Sequence, residues 1–452
     1  MALAQSLSFQ DFLKAYQEKS ARALEASQNF SRAKNQLERD TDMWQGRLTA
    51  TPQVEFLERK FNSAPEDNVS FRAQDVSINF EQKAPTGTNL ILSGQKFIET
   101  QSPLVSSVDL RYSARVTQDL FRNSFGRTQR SQMRKAQTEF QVAQMQLRQS
   151  FVESCGEAFK LYTETYIQQE IVKHLQAQMK DAQQALQIAR QLHKNRLIND
   201  IDKLSSESDF LNTQLQTQQA ELRLENNRRQ IQAYLDSSLP PKFKLSDPRV
   251  FLTRYRGVPK DQPTLAELIA TSRLKGQEFD VERSRTDRWT DVQLGLEAGR
   301  TEGRFGFSGP LLEYNDAFLR ATVTVGLDII NKTEDSDLKN SIRLQNSLAK
   351  QKQITHKTQQ STVESLSALN KLLHLQVNSS EKQVSILERK AKAAFDQMKR
   401  ARLDFENYLL HRNAYLERKV NDLNLKKDYW LNQFNLQKEF AHQTPEFCET
   451  TS

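Results

Sequence analysis

Residues 140–166 read FQVAQMQLRQSFVESCGEAFKLYTETY, and the apolar spacing in this stretch decides the fold. One apolar seam steps by threes, fours and sevens through Phe140, Ala143, Leu147, Phe151, Ala158, Tyr162 and Tyr166. A second seam beside it consists of Val142, Met145, Val152 and Phe159. Such spacing is typical of a long α-helix with packed neighbours on two sides. The stretch therefore predicts a helix from Arg127 to about Gln191, in which Gly156 is the one glycine.

Proline is absent from two long runs of the chain, residues 104–239 and residues 311–444. Because proline breaks helix interiors, these runs leave room for very long helices. Residues 195–202 (NRLINDID) predict a hairpin turn with a new helix N-cap, and a second reversal is expected near residues 398–407. The chain is thus predicted to be mainly helical and to contain the same unit twice, a β-strand pair followed by a long α-hairpin.

Apolar and polar residues alternate strictly before each helical run, which predicts strands with one apolar and one wet face. In the first half the apolar positions are Val108, Leu110, Tyr112, Ala114 and Val116. In the second half they are Val292, Leu294, Leu296 and Ala298, and then Leu319, Ala321, Val323, Val325 and Leu327. A glycine-rich exposed loop is predicted between the two strands of the second half, at residues 299–310.

Composition and motifs exclude several classes of function. The net charge is +8, but acidic residues are interspersed with the basic ones. The sequence therefore lacks the concentrated basic patch that would indicate nucleic-acid binding. The chain has no nucleophile elbow, no phosphate-binding loop and no histidine pair at metal-ligand spacing, so we expect no enzyme activity, no cofactor and no metal site. Cys155 and Cys448 match neither a metal-site spacing nor a disulfide framework, and they do not fix the cellular compartment.

Four clear strands in two separated pairs are too few to close a membrane barrel, which needs about eight. An oligomer of this chain could close one. Any one such strand more often belongs to a soluble antiparallel sheet, but alternate positions of these strands also satisfy the requirements of a lipid-facing barrel wall. The residues predicted to face lipid are Val108, Leu110, Tyr112, Val292, Leu294, Leu319, Val323 and Val325.

The order of strand pair and α-hairpin, repeated over almost the whole chain, resembles the outer membrane efflux protein (TolC) family. Residues 85–88 (PTGT), which precede a strand, carry part of the resemblance. Residues 117–126 (TQDLFRNSFG) are similar to the family's strand-to-helix junction. Asp202, Leu204, Glu207 and Phe210 resemble the start of its return helix. The second junction, residues 327–335, lacks the proline and glycines often found in the family.

The resemblance implies a homotrimer with four strands per subunit in one outer-membrane β-barrel, standing on an α-helical coiled-coil barrel in the periplasm. It also implies an exit duct for efflux or type I secretion, with a periplasmic adaptor protein and an inner-membrane pump as partners. The adaptor would contact the hairpin tips, here Lys194, Arg196, Leu197, Ile198, Asn199, Asp200, Met398, Lys399 and Arg402. Arg196 and Met398 stand where the family usually has glycine, which leaves the tip shape open.

The family's periplasmic aperture is narrowed by aspartates on the second return helix. One register of the resemblance places Asp404 and Asn407 there, and a shift of three residues places Asn407 and Leu410 there. A ring of carboxylates around a narrow pore would attract cations. A charge on a long helix is more commonly a solvated one, so both readings stay open.

The predicted segments follow this layout. They are an N-terminal helix and equatorial segment (1–67), a first strand pair (68–121), a first hairpin (122–236), an equatorial segment with a short helix (237–288), a second strand pair (289–329), a second hairpin (330–443) and a tail (444–452). The rival hypothesis is a soluble coiled-coil scaffold or tether, whose strands would form small sheets at the ends of helical bundles.

Overall fold

The computed structural model of the protein describes residues 6–42, 45–59, 69–101, 105–121, 123–235, 243–252, 263–307, 312–326, 332–400, 404–439 and Cys448. The helices are α1 (Phe9–Lys19), α2 (Ala21–Asp42), α3 (Arg127–Lys194), α4 (Asp200–Gln232), α5 (Leu265–Thr286), α6 (Lys332–Lys399) and α7 (Phe405–Glu439). The strands are β1 (Ser6–Leu7), β2 (Arg47–Arg59), β3 (Val69–Lys83), β4 (Thr88–Gln101), β5 (Val105–Asp119), β6 (Lys244–Leu245), β7 (Asp291–Phe307) and β8 (Leu312–Gly326). The chain is mainly helical with one large sheet, as the sequence predicts.

The large sheet has the strand order β2-β3-β4-β5-β7-β8, and every neighbouring pair is antiparallel. Within the described residues the sheet therefore contains six strands, whereas the sequence led us to expect four per chain. The strand β2 lies in the segment predicted to hold only a helix and an equatorial connection. Pro52 lies within β2, which is an edge strand, where the missing N–H of a proline breaks no ladder.

The predicted glycine-rich loop at residues 299–310 is also wrong over its described part, because β7 continues to Phe307. Its glycines make room for large side chains of the neighbouring strand β8. A Cβ atom at Gly299 would lie 2.6 Å from the Phe318 ring, and one at Gly303 would lie 2.3 Å from the Tyr314 ring. Glycine here allows aromatic side chains to cover the strand, which keeps an otherwise weak strand sequence paired.

The described residues belong to two compact units of the chain. The first unit comprises Met1–Asn29, Gln144–Ile269 and Gln353–Ser452, and the second comprises Phe30–Ala143 and Ala270–Lys352. The second unit contains the large sheet. There α3 packs against α2 and α5, with ring centroids of Phe30 and Phe140 5.3 Å apart and Lys135 Nζ 2.8 Å from the Asp280 carboxylate.

The largest apolar cluster of the first unit surrounds the middle of α3. Phe9 and Phe12 of α1 contact Tyr162, and Phe159 stacks on Phe434 of α7 with ring centroids 5.1 Å apart. Gly156 permits this approach, because a Cβ atom there would lie 2.9 Å from the Phe434 ring. The one glycine inside α3 is therefore a packing requirement between two long helices.

Cys155 and Cys448 form a disulfide bond in the same cluster, with their Cα atoms 5.9 Å apart. The sequence interpretation, which saw no disulfide framework in these cysteines, is corrected by this bond. A separation of 293 residues carries no spacing signal, because the two cysteines meet only once the helices have folded back.

Candidate functional site

The eight residues predicted to face lipid all lie on one face of the large sheet. Strand register sets this arrangement: Val292 pairs with Val325, Leu294 with Val323, and Ala298 with Leu319. The face is unusually open to solvent for its apolar character, with Leu319 82% and Val323 66% exposed. Its other exposed apolar members include Leu48, Val54, Val76, Ile78, Leu92, Val108, Leu110, Tyr112, Val116, Leu294, Leu296 and Val325. A contiguous exposed apolar face of this kind marks an interaction surface.

The opposite face of the sheet is polar and internally paired. Glu297 of β7 accepts hydrogen bonds from Arg115 (2.7 Å) and forms a second ion pair with Arg111 (3.5 Å). Gln95 donates to the Asp75 carboxylate at 2.7 Å. Such cross-strand pairs compensate these charges within the sheet, and they distinguish a polar face from an apolar one.

Aromatic residues stand at the end of the sheet that is nearest in sequence to α3. Phe121 follows β5, Trp289 precedes β7, and both side chains are exposed. The Arg127 guanidinium at the start of α3 lies 5.9 Å from the centre of the Trp289 ring and 2.9 Å from the Glu282 carboxylate. The apolar face therefore ends in a band of aromatic and charged side chains.

The first hairpin tip connects α3 to α4 through residues 195–199. Arg196 adopts a positive φ of 55°, the left-handed conformation that glycine adopts most easily. Asn199 caps α4, since its side-chain oxygen accepts a hydrogen bond from the Asp202 backbone N–H at 2.8 Å. Lys194 ends α3, and Asp200 begins α4 with its carboxylate 2.8 Å from His193 Nε2. Leu197 is exposed.

The second hairpin tip differs from the expectation for Met398. This side chain is only 2% exposed, because it packs in a cluster with Ala185, Ala189, Ala394, Phe405 and Tyr408. Met398 therefore packs between residues of the two hairpins, and its predicted contact with an adaptor stays a prediction. Ile198 of the first tip packs against the same cluster. Lys399 lies 4.2 Å from the Phe395 ring centre, and Arg402 lies outside the described residues.

The predicted aperture residues lie at the start of α7. Asp404 and Asn407 are both exposed, and Phe405 and Tyr408 between and beside them are buried. The Asp404 backbone carbonyl accepts the Tyr408 N–H at 3.2 Å, which forms the first turn of the helix. Leu410, the alternative aperture residue, is also exposed. The residues that either register of the family resemblance places at the aperture are all exposed, so exposure does not distinguish the two registers.

Sequence reasoning missed a buried ionic cluster two turns farther along α7. Arg412 is 2% exposed, forms an ion pair with Asp209 of α4, and donates to the Gln178 carbonyl (3.2 Å) and the Thr213 hydroxyl (3.1 Å). Burial raises the pKa of the Asp209 carboxyl, and the Arg412 guanidinium opposes that rise. A signal did exist, because Arg412 interrupts the buried row of Tyr408 and Leu416 at helical spacing.

An apolar stripe on α4 has no cover within the described part of the chain. Its members are Ile201, Leu204, Leu211, Leu215 and Leu222. They step by three, four and seven residues, which is the spacing of a coiled-coil seam. The stripe is therefore shaped for another helix.

The described residues contain no group of His, Cys, Asp or Glu side chains that could hold a metal ion. Within the same residues, no helix is both long and apolar enough to cross a bilayer.

No protein-family profile and no curated protein sequence matches the chain. Solved structures do match its fold. The outer-membrane channel OprN is 13% identical with a TM-score of 0.68, and the match covers 97% of this chain and 90% of OprN. The transmembrane channel protein CusC is 11% identical with a TM-score of 0.69 over 97% and 95%. The Campylobacter jejuni outer membrane channel CmeC is 13% identical with a TM-score of 0.68 over 96% and 85%. The chain therefore has the fold of outer-membrane channels.

Proposed function

We propose that the protein is an outer-membrane exit duct, which passes substrates outward without chemical change. The observation that carries this proposal is the large sheet, with its exposed apolar face and its internally paired polar face. An apolar face of this extent is unfavourable in water but suits a bilayer, where the polar face would line a lumen. The fold shared with solved outer-membrane channels supports the same function.

Closure of the sheet requires further copies of the chain. In lipid every backbone N–H and C=O must be paired, yet β2 and β8 are the sheet's edge strands. Strands from neighbouring copies would satisfy these edges and close a barrel. The stripe on α4, ending at Leu222, gives the same copies a helical contact. We infer a homotrimer, the assembly that the family resemblance implies, with a helical tunnel in the periplasm.

The disulfide between Cys155 and Cys448 supports a location outside the cytosol. Structural disulfides form and persist in oxidising compartments such as the bacterial periplasm, whereas cytosolic thiols are kept reduced. The α3 segment around Cys155 would then lie in the periplasm.

The hairpin tips are the proposed contact for a periplasmic adaptor, through which an inner-membrane pump would deliver substrate. Arg196, Leu197 and Asn199 present exposed charged, apolar and amide groups together at the first tip. Asp404 has no ion-pair partner among the described residues, so its carboxylate is available to form an aperture ring with its symmetry copies. Met398 is buried, and its contact with an adaptor stays a prediction.

Arginine substitution on the two faces of β8 tests the proposed lipid contact. The double substitution Val323→Arg and Val325→Arg places charges on the apolar face, at a cost of about 2–4 kcal/mol each near a bilayer midplane. The matched control, Thr322→Arg with Thr324→Arg, puts the same charges on the opposite face of the same strand. We expect the valine variant alone to be lost from the detergent-extracted outer-membrane fraction.

Equal membrane recovery of both variants would contradict the lipid-facing assignment. Recovery of the unchanged protein in solution without detergent would favour the soluble scaffold instead.

A further inference from the structure

A groove crosses the apolar face of the large sheet in the middle of four strands. Its floor is formed by small residues, Gly94 on β4, Ala114 on β5 and Ala298 on β7, and a Cβ atom at Gly94 would meet nothing within 4 Å. Larger side chains form its walls: Ile78, Phe80, Leu92 and Tyr112. The groove has a volume of about 740 Å³. It is therefore a shallow, open apolar depression on this face of the sheet.

The groove ends at charged residues. Strand register places Gly94, Tyr112 and Arg300 in one row across three neighbouring strands, and Arg300 lines the groove. Lys96 lies two residues beyond Gly94 on the same face and has no ion-pair partner among the described residues. Arg300 Nε is 3.2 Å from the Glu302 carboxylate and also donates to Asn315. Tyr112 donates to the same Glu302 carboxylate at 2.8 Å.

These neighbours leave a positive balance at the end of the groove. Glu302 accepts from the Tyr112 hydroxyl and compensates the charge of Arg300, so the ammonium group of Lys96 is the excess positive charge. A ligand that fills the groove and meets both side chains therefore needs an apolar chain attached to an anionic group. Guanidinium and ammonium groups both bind phosphate oxygens.

We propose that this groove is a binding site for one acyl chain of an anionic phospholipid, whose phosphate is held between Lys96 and Arg300. The proposal rests on the function proposed above, because it needs the apolar face to contact a membrane. It goes beyond that function, since a lipid-facing wall requires no preference for any headgroup. The bound lipid would fill the one depression over Gly94, where acyl chains otherwise pack poorly against the sheet.

Native mass spectrometry of the detergent-extracted full-length protein tests the site. The protein is mixed with equal amounts of phosphatidylglycerol or phosphatidylcholine, and the lipid-bound fraction is measured. A basic side chain near an anionic lipid contributes roughly fivefold in affinity, so two of them predict a preference for phosphatidylglycerol of up to roughly 25-fold. We expect the double variant Lys96→Gln and Arg300→Gln to lose that preference.

Filling the groove separates it from general lipid contact. The variant Ala298→Leu places a larger side chain on the groove floor, whereas Ala321→Leu adds the same atoms to the same face outside the groove. We expect the first to lower bound phosphatidylglycerol about tenfold and the second to leave it unchanged. Equal retention of the two lipids by the unchanged protein, or equal retention of phosphatidylglycerol by both variants, would overturn the site.

The outcome remains distinguishable from failure of the proposed function. A membrane-extracted protein with no headgroup preference refutes the groove alone, whereas a protein recovered without detergent refutes the membrane assignment on which the groove depends.

Discussion

Replacement of Arg412 by methionine should destabilise the joint between the two helical hairpins. Its guanidinium is buried and holds together Asp209 of α4, Gln178 of α3 and α7 itself. Methionine fills similar space but provides no donors. Asp209 would then be left as a charge in a site where its side chain is only 11% exposed.

The magnitude follows from that burial. Removing one partner of a buried ion pair typically costs about 3–5 kcal/mol, because the remaining charge is uncompensated. The further substitution Asp209→Asn removes the stranded charge. We therefore expect the variant with both changes to recover about 2 kcal/mol relative to Arg412→Met alone, which makes the two substitutions strongly non-additive. As a control, Arg389→Met changes an exposed arginine of α6 and should stay within about 0.5 kcal/mol.

Thermal unfolding in detergent, followed by circular dichroism, gives the stability order of the four proteins. Hydrogen exchange at residues 405–416 and 206–213 locates the loss. Arg412→Met alone should exchange faster than the unchanged protein in both segments. The variant that also carries Asp209→Asn should exchange more slowly than Arg412→Met alone. Additive effects, or a loss for Arg412→Met no larger than for the Arg389 control, would refute the reasoning that the ion pair holds α7 to the first hairpin.

Three further predictions concern other parts of the first unit. Cys155→Ser with Cys448→Ser should lower the unfolding temperature under non-reducing conditions, because the chain entropy of closing a loop over 293 residues stabilises the fold by at most about 5–6 kcal/mol. The unchanged protein should unfold at the same temperature as the variant once it is treated with reductant. A higher unfolding temperature for the reduced unchanged protein would count against the bond. Burial, with a smaller effect of Lys419, lowers the pKa of His174 to about 4, so the neutral form is favoured in the fold and stability should fall as pH drops from about 6.5 towards 4. A His174→Phe variant should lose that part of the pH dependence, roughly 1–2 kcal/mol after allowance for partial solvent contact, and an unchanged pH profile would exclude the histidine as its source. Leu211→Glu with Leu215→Glu should shift a trimer to monomer in mass measurements, and an intact trimer would show that the α4 stripe is not the subunit contact.

The helical part of the fold was predictable because its signal is periodic and local. The two seams beginning at Phe140 and Val142 repeat often enough to predict α3 before any contact is known, and the strand alternation at Val323 predicts which face is apolar. Most of the residues expected to face lipid can therefore be predicted from the alternation of apolar and polar residues alone.

The errors lie where long-range contacts override local patterns. Pro52 is acceptable only because β2 lies at a sheet edge, and Gly299 stays in a strand only because Phe318 covers it. Met398 is buried by a helix from the other hairpin, which no pattern around its own position indicates. The bond between Cys155 and Cys448 depends on the folded path of the whole second half. Each of these features is a property of the tertiary structure and not of a local segment.

Electron microscopy of the protein extracted from membranes in detergent, with mass determination of the same sample, tests the central claim most directly. An exit duct predicts a particle of three copies with threefold symmetry and a continuous lumen through a barrel and a hollow helical stalk. A monomer, or solid rods recovered without detergent, would contradict the duct and leave the soluble coiled-coil scaffold as the better account.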